Sequence, residues 1–222
     1  MARRRGGEPG KPAGDSLRPV TAHPPTGSPL IGRFVRLDPV RAADAAELHA
    51  VHTDPLVYTQ GYVMAAPPRD LAATQALVDA AMAARATGRT AYTVRLTGAG
   101  GLGDEGTVVG ASSLGDVDVV NERVHVGWTL YASRWWGTEV NPECKLLLLG
   151  HAFDCGFGRV KIQTDAVNQR SRAAIAKLGA TQEGVLRRHT RRADGTFRDT
   201  VVFSVLRDEW PTVRARLEQR LG

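Results

Sequence analysis

Val124-His-Val-Gly-Trp-Thr-Leu-Tyr-Ala-Ser-Arg-Trp-Trp-Gly-Thr-Glu-Val-Asn-Pro-Glu143 reads as a strand, a tight glycine-containing turn and the start of a helix. Such a turn points several free amides one way, and amides at a helix N-terminus, reinforced by the helix dipole, bind phosphate oxygens. The same residues also fit an ordinary strand-turn-helix unit capped by Asn141, with Pro142 in the first turn. Either way a helix is expected from about Pro142 to Asp154. Its four consecutive leucines, Leu146 to Leu149, imply burial on several sides rather than along a narrow stripe.

Downstream, Arg159 to Asp165 reads as a strand and Ser171 to Leu178 as a short helix stopped by Gly179. Two strands then flank the Asp194-Gly195 turn, and Asp208 to Leu221 closes the chain as a helix. Upstream, Gly32 to Asp38 alternates as a first strand and Arg41 to His52 has helical spacing. After the Asp54-Pro55 break and the Pro67-Pro68 pair, Asp70 can cap a long Ala-rich helix to about Ala86, ended by Gly88. Thr90 to Leu96 and Thr107 to Leu114 read as a hairpin around a Gly-rich loop, Gly98 to Gly106. No internal repeat is evident.

The 222 residues suit one domain, and a composition 42% hydrophobic and 23% charged supplies a core and excludes collagen-like, coiled-coil and wholly disordered classes. Residues 1 to 28, rich in Gly and Pro, are expected to form a flexible, disordered arm, with the domain over residues 29 to 222. The formal charge is +6, a balance that favours anionic partners. Half of it sits on the first 30 residues, yet Arg3-Arg4-Arg5 is followed by no apolar signal-peptide core. No apolar run approaches the roughly 20 residues of a membrane-spanning helix, so a soluble, cytoplasmic protein is expected.

Cys144 and Cys155 are the only cysteines. On one helix they would stand roughly 16 Å apart along the axis, too far for a disulfide. They read as small apolar residues of a reducing compartment, a nucleophilic role being the alternative. His49 and His52 have helical spacing, but no further His or Cys lies near to complete a metal site.

Arg134-Trp135-Trp136-Gly137-Thr138-Glu139 resembles the pyrophosphate loop of the GNAT superfamily of acetyl-CoA-dependent N-acetyltransferases: Gln or Arg, two variable residues, Gly, one variable residue, then Gly or Ala. Asn168-Gln169-Arg170-Ser171, followed by Lys177-Leu178-Gly179-Ala180 and Glu183-Gly184, is similar to the branch that acetylates ribosomal-protein N-termini. The resemblance spans about residues 30 to 210. It implies an α/β fold, a single domain with a mixed, splayed β-sheet flanked by helices, and acetyl-CoA as co-substrate with no metal. Glu139 departs from the pattern, a carboxylate standing where the family has a small residue beside the phosphates.

From the resemblance follow the expected roles. The pantetheine arm enters the splay and bonds like an extra strand to Trp128, Thr129 and Leu130. Arg134, Trp136, Gly137, Thr138 and Val140 belong to the pyrophosphate turn, Asn168 holds pantetheine amides, and Arg172 meets a phosphate. His125 stands where the branch often has a Glu general base, and an imidazole can accept the ammonium proton at neutral pH. Glu122 is the reserve. Ser171 matches the position that assists the departing thiolate. Each also has an ordinary reading: His125 as a partly buried strand residue satisfied by a neighbour, Ser171 as a helix cap, Arg172 as a solvated helix residue.

The expected reaction is direct attack of a primary amine on acetyl-CoA in a ternary complex, the amine being a protein N-terminus, a metabolite or an aminoglycoside-like antibiotic. Arg187, Arg188, Arg191, Arg192 and Arg198 cluster about the Asp194-Gly195 hairpin and could contact an acidic acceptor or RNA. The alternative is a non-catalytic acyl-CoA- or RNA-binding module of the same fold, with Glu139 as its support. Against RNA, the cluster contains no aromatic except Phe197.

Overall fold

A computed structural model describes residues 22–59 and 65–222. Its centre is one eight-stranded sheet in the order β1-β2-β3-β4-β5-β6-β8-β7. The strands are β1 (Leu30–Ile31), β2 (Val35–Pro39), β3 (Thr90–Leu96), β4 (Val108–Asp118), β5 (Arg123–Tyr131), β6 (Arg159–Asp165), β7 (Thr181–Arg191) and β8 (Phe197–Leu206). Every neighbouring pair is antiparallel except β5 and β6, which are parallel. A parallel pair needs a crossover between its strands, here α4 (Val140–Asp154). The mixed, splayed sheet flanked by helices is thus the architecture of the chain.

The other helices are α1 (Ala45–His52), α2 (Pro55–Thr59), α3 (Leu71–Ala83), α5 (Gln169–Leu178) and α6 (Trp210–Leu221). Asp70 caps α3 through the Ala73 amide, and Gly179 ends α5 in the left-handed conformation. Two local expectations are corrected. The Asp54-Pro55 break is instead the start of α2: Asp54 Oδ1 accepts from the Leu56 amide at 3.0 Å, and proline tolerates a first helical position because its missing N–H has no partner to lose there. Asn141 does not cap α4; the helix begins two residues earlier than expected, at Val140, after Glu139.

The α4 helix is held from both ends of the chain. Leu148 and Leu149 are fully buried while Leu146 and Leu147 are partly so. Glu143 is also buried, and its carboxylate accepts from the amides of Arg33, Phe34 and Val35 at 2.6–2.7 Å, three donors that offset its desolvation. This fixes the β1–β2 turn onto the helix. Phe153 stacks on Trp210 of α6, with ring centroids 5.4 Å apart.

Residues 1–21 of the expected arm lie outside the described residues. Residues 22–28 lie against the domain: Ala22 is buried, the His23 amide donates to the Cys155 carbonyl at 2.9 Å, and Arg85 donates to the Thr26 carbonyl at 2.7 Å. Among the described residues, no helix is long and apolar enough to cross a membrane.

Candidate active site

The parallel pair β5 and β6 bonds over three positions, Arg123 with Arg159, Val124 with Val160 and His125 with Lys161. Past His125 the strands part. The cleft between them has a volume of about 600 Å³. Gly127 to Tyr131 form one wall and Ile162 to Asp165 the other, with Asn141, Pro142 and Lys145 of α4 and Ser171 and Ala174 of α5 closing its sides.

The wall on β5 is irregular. Its register with β4 slips between Ala111 and Ser113, so that Trp128 is an extra residue, held at φ 50°. A bulge leaves its residue out of the ladder and turns the strand, which frees backbone groups at the edge where the resemblance places a pantetheine arm. Trp128, Thr129 and Leu130 all line the cleft.

His125 sits at the last paired position before the strands part. The ring is buried and lies over Gly127, where a Cβ would stand 2.6 Å from its Cε1 and Nε2, so only glycine admits this packing. Trp128 borders it at a ring-centroid distance of 4.9 Å. Nδ1 lies 3.3 Å from Asp116 Oδ2, and that oxygen accepts from Lys161 Nζ at 2.8 Å. Burial, seconded by Lys161, pushes the imidazole down to about 4 against the opposing pull of Asp116. It is therefore neutral at physiological pH.

Trp136, Gly137 and Thr138 of the turn also line the cleft. Gly137 has φ 80°, a conformation that side chains disfavour, and a Cβ there would project into open space. The N-cap residue of α4, Glu139, makes no side-chain cap, and the Val140 amide donates to Thr138 Oγ1 at a long 3.4 Å. Glu139, the departure from the family pattern, does not line the cleft. Asn168 caps α5 by accepting from the Ser171 amide at 2.9 Å, and both residues border the cleft. Ser171 is thus the third residue of α5 rather than its cap.

Three expected residues have side chains outside the cleft lining. The Arg134 guanidinium lies 4.1 Å over the Trp135 ring, outside the cleft lining. Val140 is fully buried in the core. Arg172 faces a separate shallow depression with Gln182 and Phe203. Glu122, at φ 47°, forms the turn before β5 and does not reach the cleft either.

Other residues in the cleft were not foreseen. Lys145 of α4 is buried, with Nζ donating to Thr129 Oγ1 at 2.8 Å. The Arg170 guanidinium lies 3.4 Å over the Trp136 ring, joining α5 to the turn across the cleft. Lys145 stands four residues after Asn141, on the same helix face, and a lone lysine in a leucine-rich run was the available signal. The hairpin arginines do not form one surface. Arg192 holds buried Asp165 with two hydrogen bonds of 2.7 and 2.8 Å, Arg198 borders the cleft, and Arg188 and Arg191 lie over Phe197.

Burial pushes both the Cys144 and Cys155 thiols up, away from a reactive thiolate. His49 Nδ1 pairs with Thr74 Oγ1 at 2.7 Å. Among the described residues, no group of three or more His, Cys, Asp or Glu side chains could hold a metal ion.

Residues 35–181 match the family described as acetyltransferase (GNAT) domain. The chain is 30% identical over 111 residues to YdaF of Bacillus subtilis (strain 168), whose name assigns it provisionally to the ribosomal N-acetyltransferases; the match spans 50% of this chain and 60% of that protein. The crystal structure of a GCN5-related N-acetyltransferase from Brucella melitensis superposes with a TM-score of 0.82 at 25% identity, covering 91% of this chain and 89% of that one. A provisionally assigned acetyltransferase from T. thermophilus gives 0.74 at 36% identity, covering 87% and 97%. With the match extending from β2 to the start of β7 and including both strands that part at the cleft, the chain belongs to the acetyltransferase (GNAT) family.

Proposed function

We propose that the chain transfers an acetyl group from acetyl-CoA to a primary amine, the two substrates meeting in the cleft. The carrying observation is the parting of β5 and β6 directly beyond His125. The residues present suit the donor. A bulged strand edge offers backbone partners to an extended amide-bearing arm, and the turn at Gly137, leading to the N-terminus of α4, offers amides to a pyrophosphate. Acetyl-CoA supplies the thioester-activated acetyl group.

The chain's own part is binding, orientation and proton handling. Trp128, Thr129 and Leu130 align the donor, and Trp136, Gly137 and Thr138 hold its phosphates with Asn168 beside them. His125, neutral and with Asp116 beside its Nδ1, accepts the proton that the ammonium group must lose, directly or through water. The Ser171 hydroxyl supplies a proton to the departing thiolate. Holding both reactants in one cleft supplies the proximity on which direct transfer depends.

For the acceptor, the resemblance to YdaF supports a protein N-terminus. An acceptor screen with acetyl-CoA and detection of released thiol tests the reading. It should give turnover with an α-amino peptide, whereas tight acetyl-CoA binding with no thiol release from any amine would favour the non-catalytic module.

A further inference from the structure

Lys145 is 7% exposed, and Nζ points into the cleft at the bulged wall, where its one hydrogen-bond acceptor among the described residues is Thr129 Oγ1. That hydroxyl also bonds Ser112 Oγ at 2.7 Å. No carboxylate lies within ion-pair distance of Nζ among the described residues. The neighbouring Glu143 carboxylate is turned to the β1–β2 turn, and Asp165 is held by Arg192.

An ammonium has three donors. Burying one with a single neutral acceptor and no counter-charge is unfavourable, and burial does lower the basicity of Lys145. As a structural element the residue is poorly matched, because a leucine or methionine would fill the same place on α4 without leaving donors unmet. A ligand group carrying negative charge reverses the balance. It supplies the missing acceptors and the counter-charge in a site that water has largely left, where charge-assisted hydrogen bonds are strongest.

We propose that Lys145 recognises a carboxylate on a substrate bound in the cleft. This rests on the reading of the cleft as an acyl-CoA site. Carboxylate is the chemistry that fits, because it meets two donors at once and brings the counter-charge that Lys145 lacks. It can come from two sources: an amino-acid-like acceptor whose carboxylate accompanies its amine, with acetyl-CoA as donor, or an acyl chain longer than acetyl that ends in a carboxylate. Discrimination is sharp at such a site, because a ligand lacking the carboxylate leaves the buried donors unpaired.

The test compares matched substrate pairs on the full chain and on Lys145→Met. One arm measures calorimetric affinity for succinyl-CoA against butyryl-CoA. The other measures kcat/KM with acetyl-CoA for an amino acid against its amide. The wild type should prefer the carboxylate-bearing member in one arm by about tenfold to a hundredfold, and Lys145→Met should lose that preference ratio. Lys145→Arg, which keeps the charge, should retain part of it and serves if the methionine variant does not fold. No preference in either arm of the wild type, or a preference that survives Lys145→Met, overturns the inference while leaving acyl transfer intact. Failure to bind any acyl-CoA overturns the cleft reading itself and this inference with it.

Discussion

His125 combines two properties that the sequence presents separately. Its place on the strand leading to the turn was legible, but its basicity was not, because that depends on burial over Gly127 and on Lys161 from the neighbouring strand. An ordinary imidazole titrates near 6.5, whereas this one is pushed down to about 4. Its loss as a base should therefore not appear between pH 5 and 8, and any acid limb there belongs to the acceptor amine. His125→Ala should lower transfer by roughly 10²- to 10⁴-fold with acetyl-CoA affinity kept, a near-constant ratio across that range checked by pH-rate profiles at saturating acetyl-CoA. Near-wild-type rates would return the work to a water chain. The same shift bears on stability. Between about pH 6.5 and about 4 the unfolded chain binds a proton here that the folded chain refuses, so stability falls as pH falls through that window. Melting scans should show a shallower fall for His125→Ala than for the wild type.

At the scale of elements, the sequence located the strands well wherever alternation or a capping residue marked them. Thr90–Leu96 and Arg159–Asp165 stand where expected, and Asp70 and Gly179 delimit helices as their chemistry requires. What could not be read was irregularity, since the extra residue at Trp128 is a property of two strands in register rather than of one. The turn was legible as a motif, but the fate of individual side chains was not: Arg134 is drawn onto Trp135, and Val140 into the core, by neighbours that only the fold supplies. Arg172 likewise faces away from the cleft, because on a helix it follows Ser171 by about 100° of rotation. Gly137→Val tests the turn. The substitution forces a branched side chain into a left-handed conformation and into the open space of the turn, so calorimetry should show acetyl-CoA affinity reduced by at least about tenfold in a protein that stays folded, its melting lowered by the strain of about 1 to 3 kcal/mol. Unchanged affinity would make the turn a connector.

For the whole molecule, the order of elements and the family resemblance gave the architecture, while the edge of the domain was less well marked. Residues 22–28 carry little apolar material, yet Ala22 is buried and the backbone of His23 and Thr26 is bonded to Cys155 and Arg85. A composition argument misses such backbone anchoring, because it involves no distinctive side chain. Extending an N-terminal truncation from residue 21 to residue 28 should therefore cost about 1 to 2 kcal/mol, read as a lower denaturation midpoint at constant slope. Equal midpoints would show the segment to be passive. The central claim is that the parting of β5 and β6 makes the acyl-CoA site, and hydrogen exchange with and without acetyl-CoA tests it most directly. The account predicts slowed exchange at the amides of 128–131 on the bulged strand and 137–141 at the turn. Measurable acetyl-CoA binding with protection confined to other segments would contradict it.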